Sequence, residues 1–134
     1  MIVTFYDRED EANELNGAVI RDHRRLRQVL ESLLESLQVR WPFVCELVGE
    51  NGFQLTIGVG KIGCVHYSRC DGSPPYLMAV ARRNVLEADE PEFMLGGTPT
   101  PIPAHFCMPF DDVIDIAVYF METGRASPFF SWEQ

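Results

Sequence analysis

The chain has 134 residues, 46% of them hydrophobic, and a formal net charge of −9. That length holds about one domain with a single core, and no apolar run approaches the roughly 20 residues needed to cross a bilayer. The acidic balance disfavours nucleic acid and anionic membrane as partners and favours basic ones, whose association it accelerates. The excess is also localised. Residues 1–83 carry 11 acids against 10 Lys or Arg, whereas residues 84–134 carry 9 acids and, as their only Lys or Arg, Arg125.

Taken in order, Ile2, Val3, Phe5 and Tyr6 predict a short edge strand running into an acidic loop through Asp7, Glu9, Asp10, Glu11 and Glu14. Met1 to Asp10 lacks the apolar region of a secretory signal, so a cytoplasmic protein is expected. Asn16-Gly17 marks a turn, and Ala18, Val19 and Ile20 a further short strand. With Asp22 as N-cap, the helical spacing of Leu26, Val29, Leu30, Leu33, Leu34 and Leu37 predicts the first helix, which Trp41-Pro42 ends. Phe43 to Val48 and Phe53 to Val59 flank Asn51-Gly52, the signature of a hairpin. In its second strand Phe53, Leu55, Ile57 and Val59 fall on a buried face, and Gln54 and Thr56 on a wet one. Ile62 to Arg69 continues the meander, Cys70 to Pro75 turns, and Tyr76 to Arg82 returns as a fourth strand. Gly58, Gly60 and Gly63 mark bends or bulges.

Residues 83–92 read as a polar, acidic connection. Phe93 to Leu95 then begins a strand, Gly96 to Thr100 a loop, and Ile102 to Met108 a return strand, with Pro101 and Pro103 implying a sheet edge or a bulge. Val113, Ile116, Ala117, Phe120 and Met121 predict a second helix between Pro109 and Gly124. Asp111 and Asp112 supply acceptors and charge at its start, and Gly124 a left-handed cap at its end. Phe129 to Trp132 reads as an aromatic strand able to pair with an exposed sheet edge. The sum is one α+β domain over residues 1–134, an antiparallel meander of about five or six strands with two helices packed on one face.

Catalytic signatures are absent: there is no nucleophile elbow, phosphate-binding loop, dinucleotide fingerprint or HExxH. Gly58-Val59-Gly60-Lys61-Ile62-Gly63 is glycine-rich but lies between strands, with no helix behind it to hold phosphate. Cys45, Cys64, Cys70 and Cys107 read as free thiols in a chain without a signal. Cys64, His66, His105 and Cys107 would converge as soft ligands only if their two strands were neighbours, and their spacing matches no usual zinc pattern; no metal or cofactor is expected. Adjacent carboxylates do not make a pocket, so no enzymatic activity is expected either.

Phe93-Met94-Leu95-Gly96-Gly97, Ile102-Pro103-Ala104, a helix led by Pro109 with Phe120 and Glu122-Thr123-Gly124-Arg125, then Pro128 and Ser131-Trp132-Glu133 form an ordered set. In this set the chain resembles the Imm1 family of immunity proteins of bacterial polymorphic toxin systems. The resemblance implies a small cytosolic protein that neutralises a cognate toxin domain, often a deaminase or nuclease, by occluding its active site or substrate channel without catalysis. The acidic charge points the same way, because a toxin that grips phosphates is basic. Glu87, Asp89, Glu90 and Glu92 are the leading toxin-binding candidates, with Asp71 behind them. Trp132 is either an interface anchor or the plug that fastens the tail to the core. An acidic chaperone or adaptor for a secreted effector is the alternative.

Overall fold

In the computed structural model, which describes residues 1–83 and 90–134, the chain forms an α+β domain. Its strands are β1 (Val3–Tyr6), β2 (Val19–Ile20), β3 (Phe43–Gly49), β4 (Phe53–Val59), β5 (Ile62–Arg69), β6 (Tyr76–Val80), β7 (Glu92–Leu95), β8 (Thr98–Pro101), β9 (Met108–Pro109) and β10 (Ser131–Glu133). The helices are α1 (His23–Glu35) and α2 (Phe110–Thr123). The sheet runs β10-β6-β5-β4-β3-β1-β2, with β7 joined to β3, β8 to β7, and β9 to β5. Every pairing is antiparallel except the single contact of β3 with β7 at Phe43 and Met94. The described residues therefore hold ten strands rather than five or six. The short segments read at Ala18 to Ile20 and Phe129 to Trp132 join this sheet as β2 and β10, and β8 forms where a loop was expected; β2, β9 and β10 have only two or three residues and are held by their neighbours.

Cross-strand rows explain the layering. Phe43 lies opposite Val59, Cys45 opposite Ile57 and Leu47 opposite Leu55, so one face of the sheet is continuously apolar. Val65 and Tyr67 extend it onto β5, and Leu26, Leu30, Leu33, Val113, Ile116, Ala117 and Phe120 cover it from the two helices. At roughly 1.5–3 kcal/mol for each fully buried large side chain, this face outweighs the unfavourable charge order of α1, which carries Arg24 and Arg25 at its start, Glu31 and Glu35 late, and no acid in its first turn. Asp22 caps α1 as predicted, accepting from the Arg25 amide at 2.9 Å. The opposite face carries the row Tyr6, Glu46, Thr56, His66, Met78, all of it half-buried and uncovered by either helix.

Several boundaries differ from expectation. No side chain caps α2, so Asp111 and Asp112 act in its first turn through charge alone. Gly96 and Gly97, at φ of 59° and 76°, close a two-residue hairpin turn, which makes Thr98–Pro101 the return strand. The expected return strand from Ile102 to Met108 is instead a 3-10 turn at Ala104–Phe106 followed by β9. The C-terminus behaves as read. Gly124 takes the left-handed conformation at φ 74°, and its carbonyl accepts from Asn51 Nδ2 at 3.0 Å and the Tyr67 hydroxyl at 3.2 Å. The tail then pairs with β6, Trp132 against Ala79. Among the described residues no helix is long and apolar enough to cross a membrane.

Candidate protein-binding surface

The most organised surface feature starts from an acid that is not on the surface. Asp7 is buried, and its carboxylate accepts from Arg40 Nη1 at 2.7 Å, Asn13 Nδ2 at 3.1 Å and the amides of Glu9 and Asp10 at 3.1 and 3.2 Å. These bonds shape the loop after β1 and deliver Glu9 to the tip of the β7–β8 hairpin. There the Glu9 carboxylate accepts from the Gly96 and Gly97 amides at 3.0 and 2.8 Å. Two successive glycines at positive φ aim both N–H groups at one anion.

The base of the hairpin is fixed as well. Met94 N–H donates to the Pro42 carbonyl at 2.8 Å, and Ile102 N–H to Pro91 at 2.9 Å. Phe93 is buried against β4, where a Cβ on residue 58 would lie 2.9 Å from its ring and 2.5 Å from Cys64 Sγ. Gly58 is therefore glycine because Phe93 and Cys64 occupy the space of a side chain.

Between this hairpin and the Trp41-Pro42 junction lies a cleft of about 580 Å³. Trp41, Pro42, Pro91, Met94 and Pro99 wall it in front of the Phe93 ring, and Glu92 stands at its rim. Trp41 is 79% exposed and Val39 beside it 91%. Arg40, the cation next to Trp41 in sequence, turns inward to Asp7 and lies over the Phe43 ring at 3.4 Å, so its charge is engaged inside the domain. Glu90 and Glu92 are exposed, and among the described residues neither takes part in an ion pair. An exposed indole and an apolar cleft beside acids have the anatomy of a protein interface, with an apolar centre and a charged rim.

Of the acids singled out in the sequence, Glu87 and Asp89 lie outside the described residues. Asp71 is remote from the cleft. It follows the end of β5 that pairs with Phe53, and the cleft is at the Val59 end of β4. Seven residues of β4 separate the two regions, on the order of 20 Å along the strand. The Asp71 carboxylate accepts from the Ser73 hydroxyl and amide, bonds that hold its pKa below the ordinary carboxylate value. Trp132 lies half-buried on the sheet edge. Its ring meets Tyr67 edge-on at 6.2 Å, and its Nε1–H donates to the Ser127 carbonyl at 2.8 Å, which fastens the tail. Trp41, which marked only the end of a helix in the sequence, is the exposed tryptophan. The available signal was that it belongs neither to the leucine stripe of α1 nor to the alternation of β3.

The cysteine and histidine strands do become neighbours in part. β9 pairs with β5 through Gly63 and Met108, which brings the next residues, Cys64 and Cys107, close together. Burial pushes the Cys64 thiol up to about 12, with the nearby Cys107 adding to it. Burial likewise raises Cys107 to about 11, helped by the Glu90 charge, and the Cys107 thiol donates toward the Pro103 carbonyl at 3.5 Å. The histidines diverge. His66 sits within the sheet opposite Thr56, whereas His105 is exposed with Nε2 3.4 Å from Glu133. Among the described residues no group of three or more His, Cys, Asp or Glu is arranged to hold a metal.

A family model, Immunity protein Imm1, matches residues 15–134. No curated protein matches the chain, and no solved structure does.

Proposed function

The chain belongs to the Imm1 immunity protein family, and from that premise we propose that it binds the toxin domain of its own polymorphic toxin system and neutralises it by contact. The family match across residues 15–134 carries this reading. The charge distribution supports a finer one. With 9 of its 20 acids and one of its 11 Lys or Arg in residues 84–134, the C-terminal part is suited to a basic target. A deaminase or nuclease is such a target, because its substrate groove must attract phosphates. An acidic inhibitor competes for that groove and associates quickly. Inhibition is then occlusion of the active site or substrate channel, in the cytoplasm of the producing cell, over an interface of roughly 1,200–2,000 Å².

Glu87, Asp89, Glu90 and Glu92 are the proposed toxin-binding acids. Asp71 and Trp132 are secondary candidates, with Trp132 contributing the part of its ring left uncovered at the sheet edge. The test is co-expression with the toxin encoded by the adjacent reading frame. Growth should be rescued by the wild-type chain and lost when the four acids are reversed to Lys. Rescue that survives the reversal removes the electrostatic reading. Turnover of a substrate by the purified chain alone removes the contact mechanism.

A further inference from the structure

Large aromatic side chains usually go where they shed water, yet Trp41 stands 79% exposed at the mouth of an apolar cleft. The cleft is already built. Pro42, Pro91 and Pro99 supply walls that lose little freedom on docking, and the hairpin opposite Trp41 is held by the Met94 bond to Pro42 and the Glu9 bonds to Gly96 and Gly97. Such a receptor favours a bulky apolar side chain over a charged one, whose desolvation would find no partner inside. The rim has the opposite preference. Glu92 lines the cleft and is exposed, as is Glu90 next to the wall residue Pro91, while Arg40, the cation nearest Trp41 in sequence, is bound to Asp7 and Phe43. An apolar residue flanked by Lys or Arg satisfies both demands.

Building on the immunity reading, we propose that this cleft captures an aromatic or leucine side chain set between basic residues on the toxin surface. Trp41 packs against the apolar side chain, and Glu90 and Glu92 pair with the flanking cations. The rim acids stay wet, so they speed the encounter, and the desolvated contact at Trp41 governs how long the complex lasts.

Surface plasmon resonance separates these roles. The full chain and its variants are passed over a catalytically dead toxin domain from the adjacent reading frame. Trp41→Ala should raise Kd by ~30-fold or more, mainly through faster dissociation. Pro99→Lys, which places a cation in the cleft mouth while keeping Trp41, should act in the same direction. Glu90→Lys with Glu92→Lys should instead slow association by about tenfold at low salt and flatten its salt dependence. Trp41 and Pro99 are exposed, so melting temperatures should stay within about 2 °C of wild type, which separates lost contact from lost fold. If Trp41→Ala and Pro99→Lys both bind within about threefold of wild type, the anchor lies elsewhere and the cleft proposal is overturned with immunity intact. If the wild-type chain itself fails to bind the toxin domain, the immunity reading falls and takes the occupant of the cleft with it.

Discussion

Replacing Asp7 with Ala tests whether the N-terminal loop is organised from inside the protein. The Asp7 side chain is fully buried, and the Arg40 side chain it holds is 22% exposed. Removing one partner of a buried ion pair costs about 3–5 kcal/mol, and because Arg40 can turn partly to water the lower end applies, about 3 kcal/mol. The amides of Glu9 and Asp10 and the Asn13 Nδ2 lose their acceptor at the same time. With an unfolding entropy of about 2.1 cal/mol/K per residue over 134 residues, 3 kcal/mol corresponds to a fall of about 10 °C in Tm. Thermal unfolding followed by circular dichroism at pH 7 reads this directly for Asp7→Ala, Arg40→Ala and the double variant. The double variant should be no less stable than the worse single one, since it leaves no buried charge unpaired. Asp7→Asn should lose less, as it keeps one acceptor oxygen. Hydrogen exchange at Gly96 and Gly97 should quicken in Asp7→Ala, because the carboxylate of Glu9 is no longer delivered to them. A fall of less than about 3 °C, or losses that simply add in the double variant, would refute the reasoning.

Gly58→Ala should destabilise by about 1–3 kcal/mol in urea unfolding, since the added Cβ meets Cys64 Sγ at 2.5 Å and the Phe93 ring at 2.9 Å. Gly124→Ala should cost a similar amount, about 1–3 kcal/mol, because φ is +74° and the new Cβ would collide with Asn51 Nδ2. Thiol titration of the native protein at pH 8 should find Cys70 reacting first; Cys45, Cys64 and Cys107 are buried with raised pKa values and should react only after denaturation. Rapid labelling of two or more thiols would contradict that. Burial holds the His66 pKa below its ordinary value, so as pH falls through about 6.5 the unfolded chain takes the proton first and stability is lost until the folded pKa is passed. The difference in Tm between wild type and His66→Gln should therefore change between pH 7 and 5, and a constant difference would refute it.

Legibility in the sequence followed the range of the forces involved. α1 was readable from its leucines because a helix buries one stripe at its own period, and the β3–β4 hairpin because Asn51-Gly52 dictates a turn locally. The C-cap at Gly124 is local in the same way. β9 was not read as a strand of its own because a two-residue strand has no period and exists only where a neighbour offers a register. Asp7 read as one more surface acid in an acidic run, since its burial depends on Arg40, which lies 33 positions along the chain. The candidate surface was half-legible. Composition located the acids, but the exposure of Trp41 follows from the inward turn of Arg40 and the docking of β7 on β3, neither of which a local pattern encodes. Trp132 shows the converse, an aromatic whose alternative roles only a hydrogen bond to Ser127 and a place beside β6 describe.

Because β1 and β7 divide one margin of β3 between them, β1 takes the stretch from Glu46 to Gly49 and β7 meets Phe43. Val3 and Phe5 are wholly buried there, upstream of residue 15, where the family match begins. A recombinant fragment trimmed to that match would leave the hydrogen-bonding groups of β3 bare beside an uncovered patch of hydrophobic core. Such a fragment recruits strands from other copies and gathers in inclusion bodies, so cloning boundaries for this protein must keep β1.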